Sequence, residues 1–258
     1  MYADFKSAII NPAAWVYWAW ITFHIKYRKT VLGPLWVIAG PAIFVLVLGE
    51  LFRHVTAHAN ALFVPHLAAG LIIWNYITNI VNTAPKLYVM HRPSLLHGPA
   101  NHANIVLKVI CNSGIIFLHP SVLIVAVIML DQVPPSASWL LIPPAIGLIL
   151  AHSVWVLVVL GLIGARYRDL AEIIEMAMRI SFLATPIIWM PGDEGRGNVV
   201  SVFLAFNPFY HVLEPLRGAI LGTPVSAWSW IISSLLASGG LAFAAYMYRR
   251  FRHSAVLW

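Results

Sequence analysis

The feature of this sequence that most restricts its fold is the absence of Asp, Glu, Lys and Arg from five long stretches. These stretches are 32–49, 61–85, 109–130, 133–165 and 218–248. A sixth apolar segment, 170–190, has charged residues only in its first half. About 20 apolar residues cross a bilayer as a helix, and lipid offers no hydrogen-bond partners, so a spanning backbone must satisfy its own polar groups. The sequence therefore predicts an all-α integral membrane protein.

The composition leaves no room for a sizeable soluble domain. Hydrophobic residues make up 60% of the 258 residues and charged residues 10%, against about 25% charged in soluble domains. Cys111 is the one cysteine, so no intrachain disulfide is expected. The first residues include Asp4 and Lys6 and no cleavable apolar core follows, so no signal peptide is predicted. Because cations flank apolar segments, the net charge of +7 favours contact with lipid headgroups over nucleic acid.

The cationic residues divide unequally between the two sides of the predicted spans. We place spans at 33–52, 63–83, 105–130, 139–164, 170–190 and 228–248. One set of connections carries twelve cations, and Arg179 lies within a span. The twelve are Lys6, Lys26, Arg28, Lys29, Lys86, Arg92, Lys108, Arg166, Arg168, Arg249, Arg250 and Arg252. The opposite set is Arg53, Arg196 and Arg217. Since cytoplasmic connections are enriched in Lys and Arg, this bias predicts six crossings with both termini in the cytoplasm.

Two segments outside the spans are themselves apolar. Residues 1–31 are predicted to form an amphipathic interface helix and a hinge, because closely spaced aromatics in 9–25 are typical of the headgroup level. The alternative, a further crossing, would place the cations of 26–29 outside. Residues 191–227 are cut by Pro, Gly and Asn into pieces too short to span. We predict that they form two short re-entrant periplasmic helices, buried in protein or lining a wet cavity.

Four stretches carry a likeness to a known family. They are Tyr27–Trp36 (YRKTVLGPLW), Gly70–Tyr76 (GLIIWNY), Gly164–Leu170 (GARYRDL) and Asn207–Gly222 (NPFYHVLEPLRGAILG). In order and spacing the chain resembles the membrane subunits of ABC-2 type ABC transporters, specifically the exporters of O-antigen, capsule and related lipid-linked polysaccharides. The loop 84–104 departs from the family, since its histidines and prolines replace the basic helix expected there.

The resemblance implies a transport subunit rather than an enzyme, in the bacterial inner membrane. It implies a homodimer of this chain paired with two copies of a separate ATPase, which would bind ATP and Mg, with a lipid-linked glycan as substrate. This chain would then hold no cofactor. The sequence agrees on one point, since it has no G-x-x-x-x-G-K-[ST] phosphate loop and no Gly-Lys pair.

Two groups of residues are candidates for contact with such a substrate. An entrance for a lipid headgroup or pyrophosphate is predicted at Lys26, Tyr27, Arg28 and Lys29, whose alternative role is to anchor topology. A channel lining is predicted at Trp36, Phe44, Glu172, Glu175, Arg179, Phe182 and Trp189. From Glu172 to Trp189, with Pro186, helical steps of three and four place these residues on one face, where Glu175 and Arg179 can pair. Headgroup contact and ordinary packing are the alternative.

Two further sets are assigned to coupling and gating. Contacts with the ATPase are predicted at Lys86, Tyr88, His91, Arg92, Arg166, Arg168 and Asp169, where Asp169 is also a candidate helix N-cap. A short helix within 84–104 is the better docking candidate. A periplasmic gate is predicted at Asn207, Pro208, Tyr210, His211, Glu214 and Arg217. In it, Asn207 initiates the turn between the two short helices, and Glu214 and Arg217 can pair, with His211 nearby.

Other functions remain open from the residues alone. A permease for a drug, haem or small lipid would show the same spans. A membrane-embedded glycosyl- or acyltransferase would need a base beside a nucleophile or metal-binding carboxylates, but the acids here are few and scattered. His54, His58 and His66 have no Cys, Asp or Glu at ligand spacing, so no metal site is predicted.

Overall fold

The computed structural model describes residues 1–55, 62–97, 102–191 and 199–251. His58, Arg196 and Arg252 lie outside these ranges, as do the side chains of Arg53 and His54. The helices are α1 Tyr2–Ile10, α2 Ala13–Tyr27, α3 Leu35–Val55, α4 Phe63–Thr83, α5 Leu87–Met90, α6 Arg92–His97, α7 His102–Leu130, α8 Ile142–Arg166, α9 Leu170–Ala184, α10 Val199–Phe206, α11 Pro208–Leu221 and α12 Ala227–Phe251. Short 3₁₀ helices at Ala84–Lys86 and Ala137–Leu141 precede α5 and α8.

The prediction of an all-helical membrane protein is confirmed. Among the described residues, five helical segments are long and apolar enough to cross a bilayer. They are Leu35–Phe52, Phe63–Met90, His102–Leu130, Ala137–Arg166 and Ala227–Phe251. The α10–α11 pair, bent by 92°, would make a sixth if it were one span.

The helix predicted over 170–190 ends early, at Ala184. Its 15 residues rise by about 22 Å at about 1.5 Å per residue, less than the roughly 30 Å of the hydrocarbon core. Pro186 excludes Thr185 from the helical region because of its steric demand on the preceding residue, and Thr185 is extended, with φ −94° and ψ 138°. The prediction that Pro186 and Trp189 continue the face of Glu175 and Arg179 is therefore wrong.

Helix α4 is the centre of the bundle, and it is buried over most of its length. It packs against α3, α7, α8, α9 and α11. Ala68, Ala69 and Gly70 bring neighbouring helices close, as small residues do in membrane bundles. Two polar contacts add to this packing: Tyr76 Oη lies 3.0 Å from Ser153 Oγ, and Asn79 donates to Ser113 Oγ at 2.9 Å. Each such bond contributes about 0.6 kcal/mol in a membrane protein.

The two ends of the bundle hold different sets of connections. At one end Tyr248 of α12 donates to Asp4 of α1 at 2.9 Å, and the His102 ring lies edge-on between Tyr88 and Tyr248. At the other end Trp139 donates to the Ile220 carbonyl at 3.1 Å. The structure thus groups α1, α5, the start of α7 and the end of α12, and α1, α7 and α12 carry four of the twelve cations that predicted a cytoplasmic side, namely Lys6, Lys108, Arg249 and Arg250.

Helix α2 lies along α7 through one narrow stripe. Ala19 and Phe23 are buried there, and the Phe23 ring centroid is 4.8 Å from that of His119. The opposite side exposes Tyr17 and Trp18. Because this outward side is aromatic, it suits lipid or headgroup contact better than water.

Gly164 allows the closest approach between α8 and the segment after α4. A Cβ built at Gly164 would lie 2.3 Å from the Pro85 carbonyl oxygen. Because this oxygen belongs to the backbone, it cannot move aside by a side-chain rotation. We expect Gly164→Ala to destabilise the protein by about 1–3 kcal/mol, as overpacking does. Gly147 is the matched control, because a Cβ there meets nothing within 4 Å. Reaction of Cys111 with a thiol dye on heating measures both variants, and equal melting temperatures would contradict the expectation.

Candidate functional site

Helices α3, α4 and α9 line a groove of about 630 Å³. Its lining is Gly40, Pro41, Phe44, Leu71, Trp74, Asn75, Thr78, Asn82, Glu175, Met178, Arg179, Phe182 and Leu183. One wall is the buried helix α4. The opposite wall is α9, whose Ala171 and Met178 are buried while most of its other side chains are partly or fully exposed.

The α4 wall carries a polar ladder, Asn75–Thr78–Asn82. Steps of three and four residues place these side chains on one helix face. Thr78 Oγ1 and Asn82 Oδ1 are buried and have no hydrogen-bond partner among the described residues. An unpaired buried hydroxyl or amide is costly in an apolar setting, so these atoms are suited to water or a polar ligand. Sequence prediction missed the ladder, although its i, i+3, i+7 spacing inside an uncharged stretch is a readable signal.

Charged groups face the ladder from α9. Arg179 Nη2 donates to Glu175 Oε1 at 2.6 Å, which confirms the predicted pair. The side chains are 77% and 41% exposed, respectively. An exposed helical pair contributes only about 0.3–0.5 kcal/mol, so the pair adds little to stability and leaves charged atoms accessible within the groove.

The groove ends at a cluster of aromatic rings, which we call the aromatic end: Phe44, Trp74, Phe182 and Phe209. The Phe182 centroid lies 6.0 Å from Trp74 and 6.4 Å from Phe44. On its other side, Trp74 meets Phe209 of α11 edge-on at 5.4 Å. Aromatic pairs at such distances contribute about 0.5–1.5 kcal/mol beyond the area they bury.

Four of the seven predicted channel residues therefore meet in this groove, namely Phe44, Glu175, Arg179 and Phe182. The other three are not in its lining. Trp36 and Glu172 are exposed, and the Trp189 indole donates to the Leu183 carbonyl at 3.1 Å in the turn after α9.

The predicted entrance lies at the end of α2. Tyr27 and Arg28 line a cavity of about 300 Å³ with Ile21, His24, Ile25 and Pro34. Lys26 and Lys29 are exposed beside it, and Lys26 Nζ lies 5.4 Å from the Tyr27 ring centroid. A guanidinium fork beside an apolar cavity can bind a phosphate that carries a hydrocarbon chain.

The predicted docking residues occupy one end of the bundle, and Tyr88 is the one of the seven that is buried there. Lys86, Arg92, Arg166, Arg168 and Asp169 are exposed, and the packing of Gly164 on Pro85 brings the 84–97 segment beside the α8–α9 turn. The predicted short helix is α6. Tyr88 is buried, with its ring against Gly161, so it does not face a partner. Asp169 occupies the N-cap position of α9 without a side-chain capping bond.

His91 connects this segment to α7. Its Nδ1 donates to the Leu87 carbonyl at 2.9 Å, and its Nε2 accepts from Lys108 Nζ at 3.3 Å. Burial lowers the pKa of His91, and the Lys108 ammonium acts in the same direction against the Leu87 bond. Lys108 also lies 5.8 Å from the Trp18 ring of α2. The neutral imidazole thus links the 84–97 segment, through Lys108, to the helix that precedes the entrance.

The predicted gate residues divide between two contacts. Asn207 Oδ1 caps α11 by accepting from the backbone of Phe209 and Tyr210, and α10 and α11 meet there at 92°. His211 does not join Glu214 and Arg217. It bonds instead to Ser229 and to the Ala205 carbonyl.

Arg217 forms the predicted pair with Glu214, and its guanidinium is buried, 2% exposed. Nε donates to Glu214 at 3.0 Å, and Nη1 donates to the Pro186 carbonyl. His66 Nε2 of α4 lies 3.0 Å from Nη1 and 3.1 Å from the Pro186 oxygen. Sequence reasoning missed His66, because 151 positions separate it from Arg217 and no local spacing joins them.

The sequence profile described as ABC-2 type transporter matches residues 14–221, from α2 through α11. The chain belongs to the ABC-2 type transporter family. It is the membrane subunit of an ABC exporter rather than an enzyme, and it spans the membrane several times. Membership implies a partner ATPase subunit, and the family resemblance predicted from the four sequence stretches is confirmed.

Three relatives of this ABC-2 subunit carry the same protein name. It is 22% identical over 233 residues to the O-antigen export system permease protein RfbA of Klebsiella pneumoniae, covering 88% of this chain and 89% of that protein. A second Klebsiella pneumoniae protein of that name is 22% identical over 195 residues, 75% and 74% of the two chains. The Myxococcus xanthus protein of that name is 24% identical over 192 residues, 73% and 72% of the two chains.

Proposed function

We propose that this permease exports a lipid-linked polysaccharide, such as O-antigen or capsule, across the bacterial inner membrane. It acts as a homodimer with two ATPase subunits, which bind ATP and Mg, and both of its termini lie in the cytoplasm. The observation that carries the proposal is the groove between α3, α4 and α9, which combines polar groups with aromatic rings.

The groove has the chemistry that a sugar chain needs. Sugar hydroxyls donate to and accept from groups such as the Asn75–Thr78–Asn82 ladder and the Glu175–Arg179 pair. The apolar faces of sugar rings pack on aromatic side chains, which Trp74 and Phe182 supply. The three relatives named as O-antigen export permeases support the same substrate class.

The lipid end of the substrate is assigned to the predicted entrance. Arg28 offers a bidentate fork to a phosphate or pyrophosphate, and Lys26 and Lys29 add positive charge near the headgroup level. The apolar part of the same cavity, from Ile21 to Pro34, contacts the start of the hydrocarbon chain.

Two copies are proposed because the groove lies at the edge of a single copy. Beside it, α9 exposes an apolar stripe made of Ile173, Met176, Ile180 and Leu183. Helix α3 exposes Ile43 and Val47. Facing copies would cover these surfaces and enclose the groove as a conduit, which a polymer requires because a long chain cannot be occluded whole.

A permease for a drug, haem or small lipid is the alternative. One observation favours it: 630 Å³ lies within the range of about 300–1,000 Å³ that small-ligand pockets occupy. Such a protein would need no continuous route for a polymer.

Deletion of this chain in its host tests the proposal. We expect surface glycan to disappear and lipid-linked polymer to accumulate on the cytoplasmic side. Expression of the wild-type chain or of Gly147→Ala should restore the surface glycan and remove the accumulated polymer. Immunoblots of surface glycan and extraction of lipid-linked intermediates measure the two pools. Normal surface glycan in the deletion strain would refute polysaccharide export and favour the small-substrate alternative.

A further inference from the structure

The turn that follows α9 is held by two side chains of the α10–α11 pair. Asn207 Nδ2 donates to the Ala184 carbonyl at 3.2 Å and to Thr185 Oγ1 at 3.1 Å. Arg217 Nη1 donates to the Pro186 carbonyl. Thr185 and Ile187, which flank Pro186, are fully buried. The end of α9 is therefore anchored even though Pro186 interrupts its helix.

The two elements joined here are packed very differently. Eight of the 14 residues of α11 are buried, and α11 packs against α4, α8 and α12. In α9 only Ala171 and Met178 are buried, of its 15 residues. Helix α9 is thus a lightly packed wall of the groove, while α11 belongs to the body of the bundle.

Burying the guanidinium of Arg217 to form this anchor costs desolvation free energy. A buried ion pair is often no more stabilising than apolar side chains of similar volume, and charged groups at membrane depth are a functional hypothesis by default. The hydrogen bonds of Arg217 within the described residues converge on the end of α9: Glu214 holds the guanidinium, and Nη1 meets both the Pro186 carbonyl and His66 of α4.

We propose that Arg217 is the positioning residue that keeps the aromatic end closed, by holding the end of α9 against α4. The seal itself is the contact between Phe182 of α9 and Trp74 of α4. Without Arg217, the end of α9 moves away from Trp74 and the groove opens past its aromatic end. During transport, displacement of α9 separates Arg217 from the Pro186 carbonyl, and Asn207 limits how far the turn travels. This inference rests on the proposed function, in which two copies enclose the groove as a conduit, and it gives a role to Arg217 of the predicted gate.

A leak assay tests this role without any glycan. The permease is reconstituted with its ATPase partner in liposomes loaded with a small anionic dye, and dye release is followed without nucleotide. We expect Arg217→Met, which keeps the stem but removes the donors, to leak several-fold faster than wild type. Arg217→Lys should leak less, since one ammonium can still reach the Pro186 carbonyl. Arg249→Met is the control, because Arg249 is an exposed arginine in the last turn of α12, and it should stay tight.

A second variant covers the case in which Arg217→Met does not fold. The double variant Glu214→Gln with Arg217→Met leaves no unpaired buried carboxylate, so it avoids the penalty of breaking one half of a buried pair. ATP hydrolysis at the wild-type rate shows that either variant is assembled. An assembled variant as tight as wild type overturns the inference, and the substrate class is judged separately by the deletion strain.

Discussion

Replacing Trp74 by alanine is expected to abolish export and to produce the largest loss of stability of any groove substitution. The side chain is 4% exposed, and its ring contacts both Phe182 and Phe209. Truncation of a buried Trp costs about 3–5 kcal/mol, and here it also removes the wall of the aromatic end. Export of glycan and the melting temperature read from Cys111 labelling measure the two effects.

Two other tryptophan variants separate packing from chemistry. Trp74→Phe keeps an aromatic face toward both neighbours, so we expect it to recover most of the export. Trp228→Ala is the matched truncation at an exposed position, 69% exposed, and should change stability by less than about 0.5 kcal/mol. Export by Trp74→Ala at the wild-type level would contradict the assignment of the aromatic end to the route.

Asn82→Leu is expected to reduce export about tenfold while leaving the protein as stable as wild type or more stable. The loss of one or two hydrogen bonds to substrate costs about 1–1.5 kcal/mol, and 1.4 kcal/mol is a factor of ten. Stability should not fall, because Asn82 Oδ1 has no partner among the described residues and its replacement relieves a buried unpaired group.

Asn112→Leu is the matched control for this pattern. Asn112 Oδ1 is also buried and without a partner in the described part of the chain, but the residue lies on α7, outside the groove lining. It should therefore match Asn82→Leu in melting temperature and match wild type in export. If both variants lose export equally, the ladder is not a substrate contact.

Whether a sequence prediction was correct depended on how far apart in the chain the interacting residues lie. The Glu175–Arg179 and Glu214–Arg217 pairs were predictable, since their partners lie three or four residues apart on one helix. The turn between α10 and α11 was predictable from Asn207 and Pro208, which are adjacent in the chain. The early end of α9 had a local signal, Pro186, but the apolar composition of 170–190 concealed it. The burial of Tyr88 had no local signal, because a glycine of another helix covers its ring.

The sequence alone determined that the chain is helical and lies in a membrane, because uncharged stretches of about 20 residues have no other stable setting. It also determined the family, because the four stretches can be recognised from their residues, order and spacing without knowledge of the fold. Only the tertiary structure decided which faces meet: that Asn75, Thr78 and Asn82 oppose Glu175 and Arg179, and that Arg217 reaches His66. Helix periodicity defines a face but not its neighbour, and in lipid the neighbour is selected by close packing and polar contacts between distant segments.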